Sequence, residues 1–291
     1  MTYLGNIQNN CQDENVYTRL GECNKKKGKI VALLVTGPNA LYPIDKETFK
    51  TALPGYVTTN GPLRIIPING ISANTPTGGE VNAPEAGFSG PTPSNLTAFS
   101  MVYQIKDAGD CLFKELAKLN KRNLRFFEID DEGFMYGTVV KKGDTLYRQG
   151  YSGSPFAWFT RTDGTTLAVV NFGIWYSANY EKEEQNMGAF ELDEVPTGLT
   201  GVILEKGATT GTAKVLGVCD GTDYTSLYGS DWDPTMFVNA SGANPTTVTY
   251  SATTGLLTFA PITSYKVASA SVLEAGDIVG LDGVNSLVDL T

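Results

Sequence analysis

From Lys29 to Leu281 the chain is cut into short apolar runs separated by Gly, Pro, Asn and Asp. That rhythm limits it to a β-rich fold, because strands of five to eight residues between turns leave no room for a helical core. The clearest run is Thr97 to Ile105. There Phe99, Met101, Tyr103 and Ile105 fall on one face at period two, and Ala98, Ser100, Val102 and Gln104 on the other. Lys29 to Thr36, Leu63 to Ile68, Leu124 to Ile129, Phe134 to Val140, Ala157 to Arg161, Thr165 to Phe172, Ile174 to Tyr180 and Phe190 to Val195 read as further strands. Composition agrees: 32 Gly and a charged fraction of only 18% suit many turns and few solvated helices.

One segment breaks the rhythm. Ala108 to Arg122 carries Leu112, Phe113, Leu116 and Leu119 on one stripe, with Asp107 placed to cap its start and Lys118, Lys121 and Arg122 in its last turn. It is expected to be an amphipathic helix lying on a sheet. A shorter helix fits within Ile44 to Leu53.

The chain divides by texture. Residues 1–27 form a polar arm ending in Lys25-Lys26-Lys27. Residues 28–197 form a β-barrel or β-sandwich domain with its flanking helix. Beyond Pro196-Thr197-Gly198 basic residues almost vanish, and short β segments at Gly201 to Leu204, Ala213 to Val218, Thr246 to Ser251, Leu256 to Phe259, Tyr265 to Ser271 and Ile278 to Leu281 suggest a smaller C-terminal β-sandwich-like domain over 198–291. Residues 70–96, rich in Gly and Pro, read as a long loop. Such loops are usually functional, so Asn74, Gly78, Gly79 and the lone large apolar residue Phe88 are candidate assembly contacts.

The chemistry that is missing narrows the function. The sequence contains no histidine, so no Ser-His-Asp or Cys-His catalytic arrangement can form within it. Neither a dinucleotide-binding nor a P-loop glycine pattern occurs. Gly150 to Ser154 is a strand entry rather than a nucleophile elbow. Asp130-Asp131-Glu132-Gly133 is a hairpin turn rather than a calcium loop. These absences point away from an enzyme, and no catalytic residue, metal ligand or cofactor is expected. Cys11, Cys23, Cys111 and Cys219 contain no C-x-x-C pair. The chain begins without a secretory signal or membrane-spanning run, so it is expected to be made in a cytoplasm with its thiols free; Cys11 and Cys23 are also near enough to close a small loop. Residues 151–291 hold 5 basic and 16 acidic side chains, which argues against sequence-specific nucleic-acid binding. An acidic, aromatic stretch over 220–233 offers a different function: Tyr224, Tyr228, Asp231 and Trp232 could form a carbohydrate or cell-surface binding patch.

The order of a polar arm, strands, the 70–96 loop, the alternating strand, the amphipathic helix and the hairpin resembles that of tailed-bacteriophage virion structural proteins, most nearly tail-tube proteins. Thr97 to Thr138 and the loop before it carry the likeness, which spans residues 28–195. The resemblance implies β-sandwich or barrel subunits with a flanking helix, closing as a homo-oligomer into hexameric rings in the virion. It also implies that loop 70–96 and the arm reach the adjacent ring, that other virion proteins are partners, and that DNA is only a non-specific passing cargo, with no membrane involved. A head–tail connector ring and a capsid decoration protein remain open within the same class.

Overall fold

The computed structural model describes residues 28–82, 95–105, 109–161, 168–177 and 187–291. The fold is mainly β, with one large antiparallel sheet, smaller sheets and a few helices. The described residues divide into two compact units, the first taking 28–53 and 62–196 and the second 54–61 and 197–291. The boundary at Pro196 falls where the sequence changes texture. The inclusion of 54–61 in the second unit has no sequence signal.

In the first unit the strands are β1 (Ile30–Thr36), β2 (Tyr42–Pro43), β3 (Ile65–Ile68), β4 (Ile71–Thr77), β5 (Val81–Asn82), β6 (Asn95–Leu96), β7 (Ser100–Ile105), β8 (Leu124–Asp130), β9 (Phe134–Lys142), β10 (Thr145–Gln149), β11 (Tyr151–Thr160), β12 (Val169–Tyr176) and β13 (Met187–Glu191). The helices are α1 (Lys46–Thr58), of which residues 46–53 belong to this unit, and α2 (Asp110–Ala117). β3, β1, β8, β11, β12, β7 and β4 pair in that order, all antiparallel. β3 and β4 are joined only by Asn69-Gly70, so the first and last strands of this run are chain neighbours and the sheet curls round one core. Leu33, Val35, Ile68, Ile71, Tyr103, Phe126, Phe172 and Ile174 fill it, and Leu116 and Leu119 pack into the same cluster from α2 and the turn after it. A second branch, β13-β9-β10-β2, leaves β8 at the pairs Glu128↔Tyr136 and Ile129↔Met135.

Several sequence expectations are corrected. The 70–96 loop is strand over Ile71–Thr77, which pairs with β7 along its length. After Ile71 this strand is mostly exposed on both faces, so it shows no apolar alternation and reads as loop. The break expected after Phe172 does not occur: β12 runs unbroken through Gly173. A Cβ there would press on the indoles of Trp158 and Trp175 at 2.8 Å, so the glycine makes room for two tryptophans rather than a turn. β10 was not foreseen, because its two buried residues are Arg148 and Gln149, which imitate a surface segment. Helix α2 is shorter than expected; Asp107 lies outside the described residues, and Gly109 occupies the N-cap position. The free-thiol expectation fails at Cys111, on α2, and at Cys219, in the second unit, since each is disulfide-bonded. The pairing considered for Cys11 and Cys23 lies outside the described residues.

The second unit contains β14 (Thr200–Lys206), β15 (Thr212–Gly217), β16 (Phe237–Val238), β17 (Thr247–Ser251), β18 (Leu256–Ala260), β19 (Ser264–Val267), β20 (Leu281–Gly283) and β21 (Val288–Asp289), with helices α3 (Tyr224–Tyr228) and α4 (Ala270–Ala275). A five-stranded sheet runs β17-β18-β15-β14-β20 and a three-stranded one β16-β19-β21. β14 pairs with β20 in parallel, the one parallel pairing among the described strands. The segment Ser269 to Ser271, read as the end of a strand, instead leads into α4, with Ala270 and Leu273 buried.

Candidate functional site

The candidate assembly element of the first unit is the ribbon in which β4 pairs with β7 and which runs on past the end of β12. β4 pairs with β7 from Ile71↔Ile105 to Thr77↔Ser100. The pairing then continues through the Gly79 N–H donating to the Thr97 carbonyl at 3.3 Å and the Thr97 N–H donating to the Glu80 carbonyl at 2.8 Å. β5 and β6 extend it through Val81↔Leu96 and Asn82↔Asn95. β12 accompanies β7 only as far as Phe99, whose carbonyl accepts from the Tyr176 N–H at 3.1 Å. Beyond that point the ribbon is two strands wide among the described residues.

Gly78 and Gly79 sit at the junction, both with positive φ, +79° and +77°. At Gly78 a side chain would run into the Ala98 carbonyl, so the tight change of direction requires glycine there. Asn74 lies on the ribbon facing β7, where its Nδ2 approaches the Met101 sulfur at 3.7 Å. Phe88 lies outside the described residues. The structure therefore brings Asn74, Gly78 and Gly79 onto one element, and that element is a ribbon rather than a loop.

β4 is the last strand of its sheet, and no described strand pairs with its outer edge. An open edge presents unpaired N–H and C=O groups to another chain. Two features restrict it: the register shifts between Ile71 and Ala73, and Pro76 lacks an N–H. Pairing to this edge is thus confined to the stretch between the bulge and the proline, and the exposed Ser72, Thr75 and Thr77 keep it polar.

The acidic, aromatic stretch 220–233 has a different character. Trp232 is 2% exposed and belongs to the core of the second unit with Phe237, Phe259 and Leu273. Its indole N–H donates to the Tyr224 carbonyl at 3.2 Å. Tyr224 stacks on Tyr228 at 6.4 Å, and Tyr228 meets Trp232 edge-on at 6.0 Å. Trp232 therefore has no face to offer a ligand unless the core opens. Of the four residues, only Asp231 is exposed.

The neighbouring acids serve turns. Asp223 accepts from the Ser226 N–H at the start of α3 and pairs with Lys214 at 2.8 Å. Asp220 accepts from the Thr222 N–H, and Asp233 from the Thr235 N–H. Hydrogen bonds from Thr222 hold the Asp220 carboxyl below its ordinary range. At Asp223 burial raises the pKa, but the Lys214 ammonium and the Ser226 bonds outweigh it, so the net shift is also down.

Sequence reasoning missed the buried charges of the first unit. Glu128 is fully buried and accepts from the Tyr103 hydroxyl at 2.6 Å and the Tyr176 hydroxyl at 2.7 Å. Desolvation, reinforced by the Glu128 charge, pushes both phenols well above their ordinary range. Asp130, also buried, accepts from the Tyr136 hydroxyl at 2.6 Å, from the Phe134, Glu132 and Gly28 N–H groups, and so fixes the turn into β9.

Arg148 lies over the Phe190 ring at 3.6 Å and donates to the Ile44 carbonyl at 2.8 Å. Its Nε and Nη1 have no hydrogen-bond partner among the described residues. Burial pushes its pKa down to about 9, against a smaller opposing pull from Asp45, so it stays charged at neutral pH. In each case a charged residue mid-strand looks like surface until its partners are placed. Among the described residues no three Cys, Asp or Glu side chains converge as a metal site.

No protein-family model matches the chain, and neither does any curated protein or solved structure.

Proposed function

We propose that this chain is a structural subunit of a tailed-bacteriophage virion that assembles with copies of itself into rings, as a tail-tube subunit through which DNA passes without specific contacts. The observation that carries the reading is the ribbon of β4 and β7, in which no described strand pairs with the polar outer edge of β4. A monomer that ends there exposes pairing groups that a neighbouring copy can satisfy. The reading takes the chain as non-catalytic and localised to the virion, where other virion proteins are its partners. Bonded Cys111 and Cys219 suit a particle that ends its life outside the cell, where disulfides persist.

Negative-stain electron microscopy of the purified full chain tests this directly. Tubes are expected for a tail-tube subunit. Isolated closed rings would move the reading to a head–tail connector, and binding to preformed capsids without ring formation to a decoration protein. A chain that stays monomeric at high concentration would overturn self-assembly altogether.

A further inference from the structure

The edge of β11 that faces α2 is only partly used. β8 pairs with β11 from Tyr151 to Gly153 and then leaves it. The residues after α2 take over: the Lys121 N–H donates to the Pro155 carbonyl at 2.8 Å, and the Ala157 N–H donates to Asn120 Oδ1 at 2.7 Å. Main-chain groups of alternate residues face the same edge of a strand. Pro155, Ala157 and Phe159 make up this set, and the missing N–H of Pro155 falls where it costs no bond with β12. The Ala157 carbonyl and the N–H and carbonyl of Phe159 come next, and no strand or helix among the described residues pairs with them.

These groups border a cavity of 870 Å³ between α2 and β11, a volume within the ordinary range for ligand sites. The Phe113 and Phe159 rings, 6.1 Å apart, form one wall. Phe156, 39% exposed, and Trp158 line it as well. Lys114 and Arg161 are both exposed on the lining, against the single acid Asp110. The combination is an aromatic groove with an unfilled strand edge and an excess of positive charge, in a protein whose net charge is -9.

We propose that this groove binds an extended, acidic segment of another protein by strand addition to β11. The segment donates an N–H to the Ala157 carbonyl and accepts from the Phe159 N–H. Alternate side chains lie against Phe113 and Phe159, and its carboxylates meet Lys114 and Arg161. The local positive charge selects an acidic partner and disfavours a second copy of this acidic chain. The surface lies on a different strand from the open ribbon, so it holds whether or not rings form.

Hydrogen exchange on the full chain reads the first half of the proposal. The Phe159 amide should exchange rapidly in the isolated protein while the Trp158 amide, paired to β12, is protected. Selection from a displayed library of random peptides reads the second. Enriched peptides should alternate acidic and apolar residues and, once synthesised, should slow exchange at Phe159 at least about tenfold. N-methylation of alternate peptide amides should weaken binding at least about tenfold, as should the double change Lys114→Glu and Arg161→Glu. Lys114→Gln alone, at an exposed position, should give a smaller loss in the same direction. A Phe159 amide already protected in the isolated protein would overturn the proposal, because the chain would then fill its own edge. Protection that grows with protein concentration would assign the groove to a second copy and overturn the acidic-partner claim. Enrichment of no peptide, or of peptides indifferent to N-methylation and charge reversal, would do the same for strand addition.

Discussion

The cores of the two units are built on different principles. The first unit buries three charged residues, Glu128, Asp130 and Arg148, among its aromatic side chains. The second buries none; its buried polar residues are threonines, such as Thr212 and Thr225, beside a core of Trp232, Phe237, Phe259 and Tyr265. An apolar core needs only the right volume to be stable. A core holding charges must supply each with partners, because an unpartnered buried charge costs several kcal/mol. The first unit is thereby tied to one register: shifting β8 by one residue would take Glu128 from Tyr103 and Tyr176, and Asp130 from Tyr136. The second unit should tolerate repacking but not the loss of its large anchors.

The widest test of this contrast pairs two deletions. Asp130→Ala strands a hydroxyl and three backbone donors, and it should cost the first unit about 4 kcal/mol. Trp232→Ala should cost the second unit a similar amount, about 3–5 kcal/mol, through cavity formation alone. Denaturation followed by hydrogen exchange in each unit measures both, and the loss should stay within the unit changed. The exposed Trp175→Ala serves as control, with an effect below about 1 kcal/mol.

Alkaline titration gives the next largest difference. Burial raises Tyr103, Tyr136 and Tyr176 above the ordinary phenol value of 10.0. The folded state therefore keeps protons that the unfolded chain releases above pH 10. Their contribution is complete below that pH and is lost as pH climbs toward the folded values, with a slope of about 1.4 kcal/mol per pH unit for each tyrosine, while Arg148, lowered to about 9, works the other way and offsets one such slope. In the second unit Tyr265 and Lys214 are raised, but neither is driven well above its ordinary value as Tyr103 and Tyr176 are, so its stability should fall over a narrower pH range. A fall over the same pH range in both units would remove the contrast.

Smaller again is Tyr136→Phe, expected to cost about 2 kcal/mol by removing one hydrogen bond to a buried carboxylate. Smallest is Arg148→Met. The guanidinium is largely desolvated and only one of its donors is hydrogen-bonded, so an unbranched apolar side chain between Phe49 and Phe190 should change stability by less than about 1 kcal/mol, or raise it. A large loss at this position would show that the charge holds the branch of β9 and β10 in place.

The aromatic side chains show how far the sequence could be read. Trp232, set among acids, looks like a ligand platform and is a core residue; Trp175, in an apolar run, looks like core and is 49% exposed. Composition near a residue reports which side chains are close in the chain, whereas burial depends on which strand face the residue takes. Ser100 to Ile105 was legible because its two faces differ in polarity. β4 was not, because both its faces meet solvent over most of its length, and β10 was not, because it buries an arginine and a glutamine. Asn74, Gly78 and Gly79 were legible as a group through the loop composition around them, but only the pairing with β7 makes them part of a ribbon.

By itself the sequence determined the β class, the helix at α2, the hairpin of β8 and β9, the change of character at Pro196, and the absence of histidine chemistry. These follow from local periodicity, turn preference and residue count, all of which act between near neighbours or over the whole composition. Only the tertiary structure decided the rest. It set which strand lies beside which, which carboxylates meet tyrosine hydroxyls, where no described strand pairs with the edges of β4 and β11, and that Cys111 and Cys219 are bonded. Those features depend on pairing between residues distant in the chain, and pairing energy is fixed by faces and registers that no single segment contains.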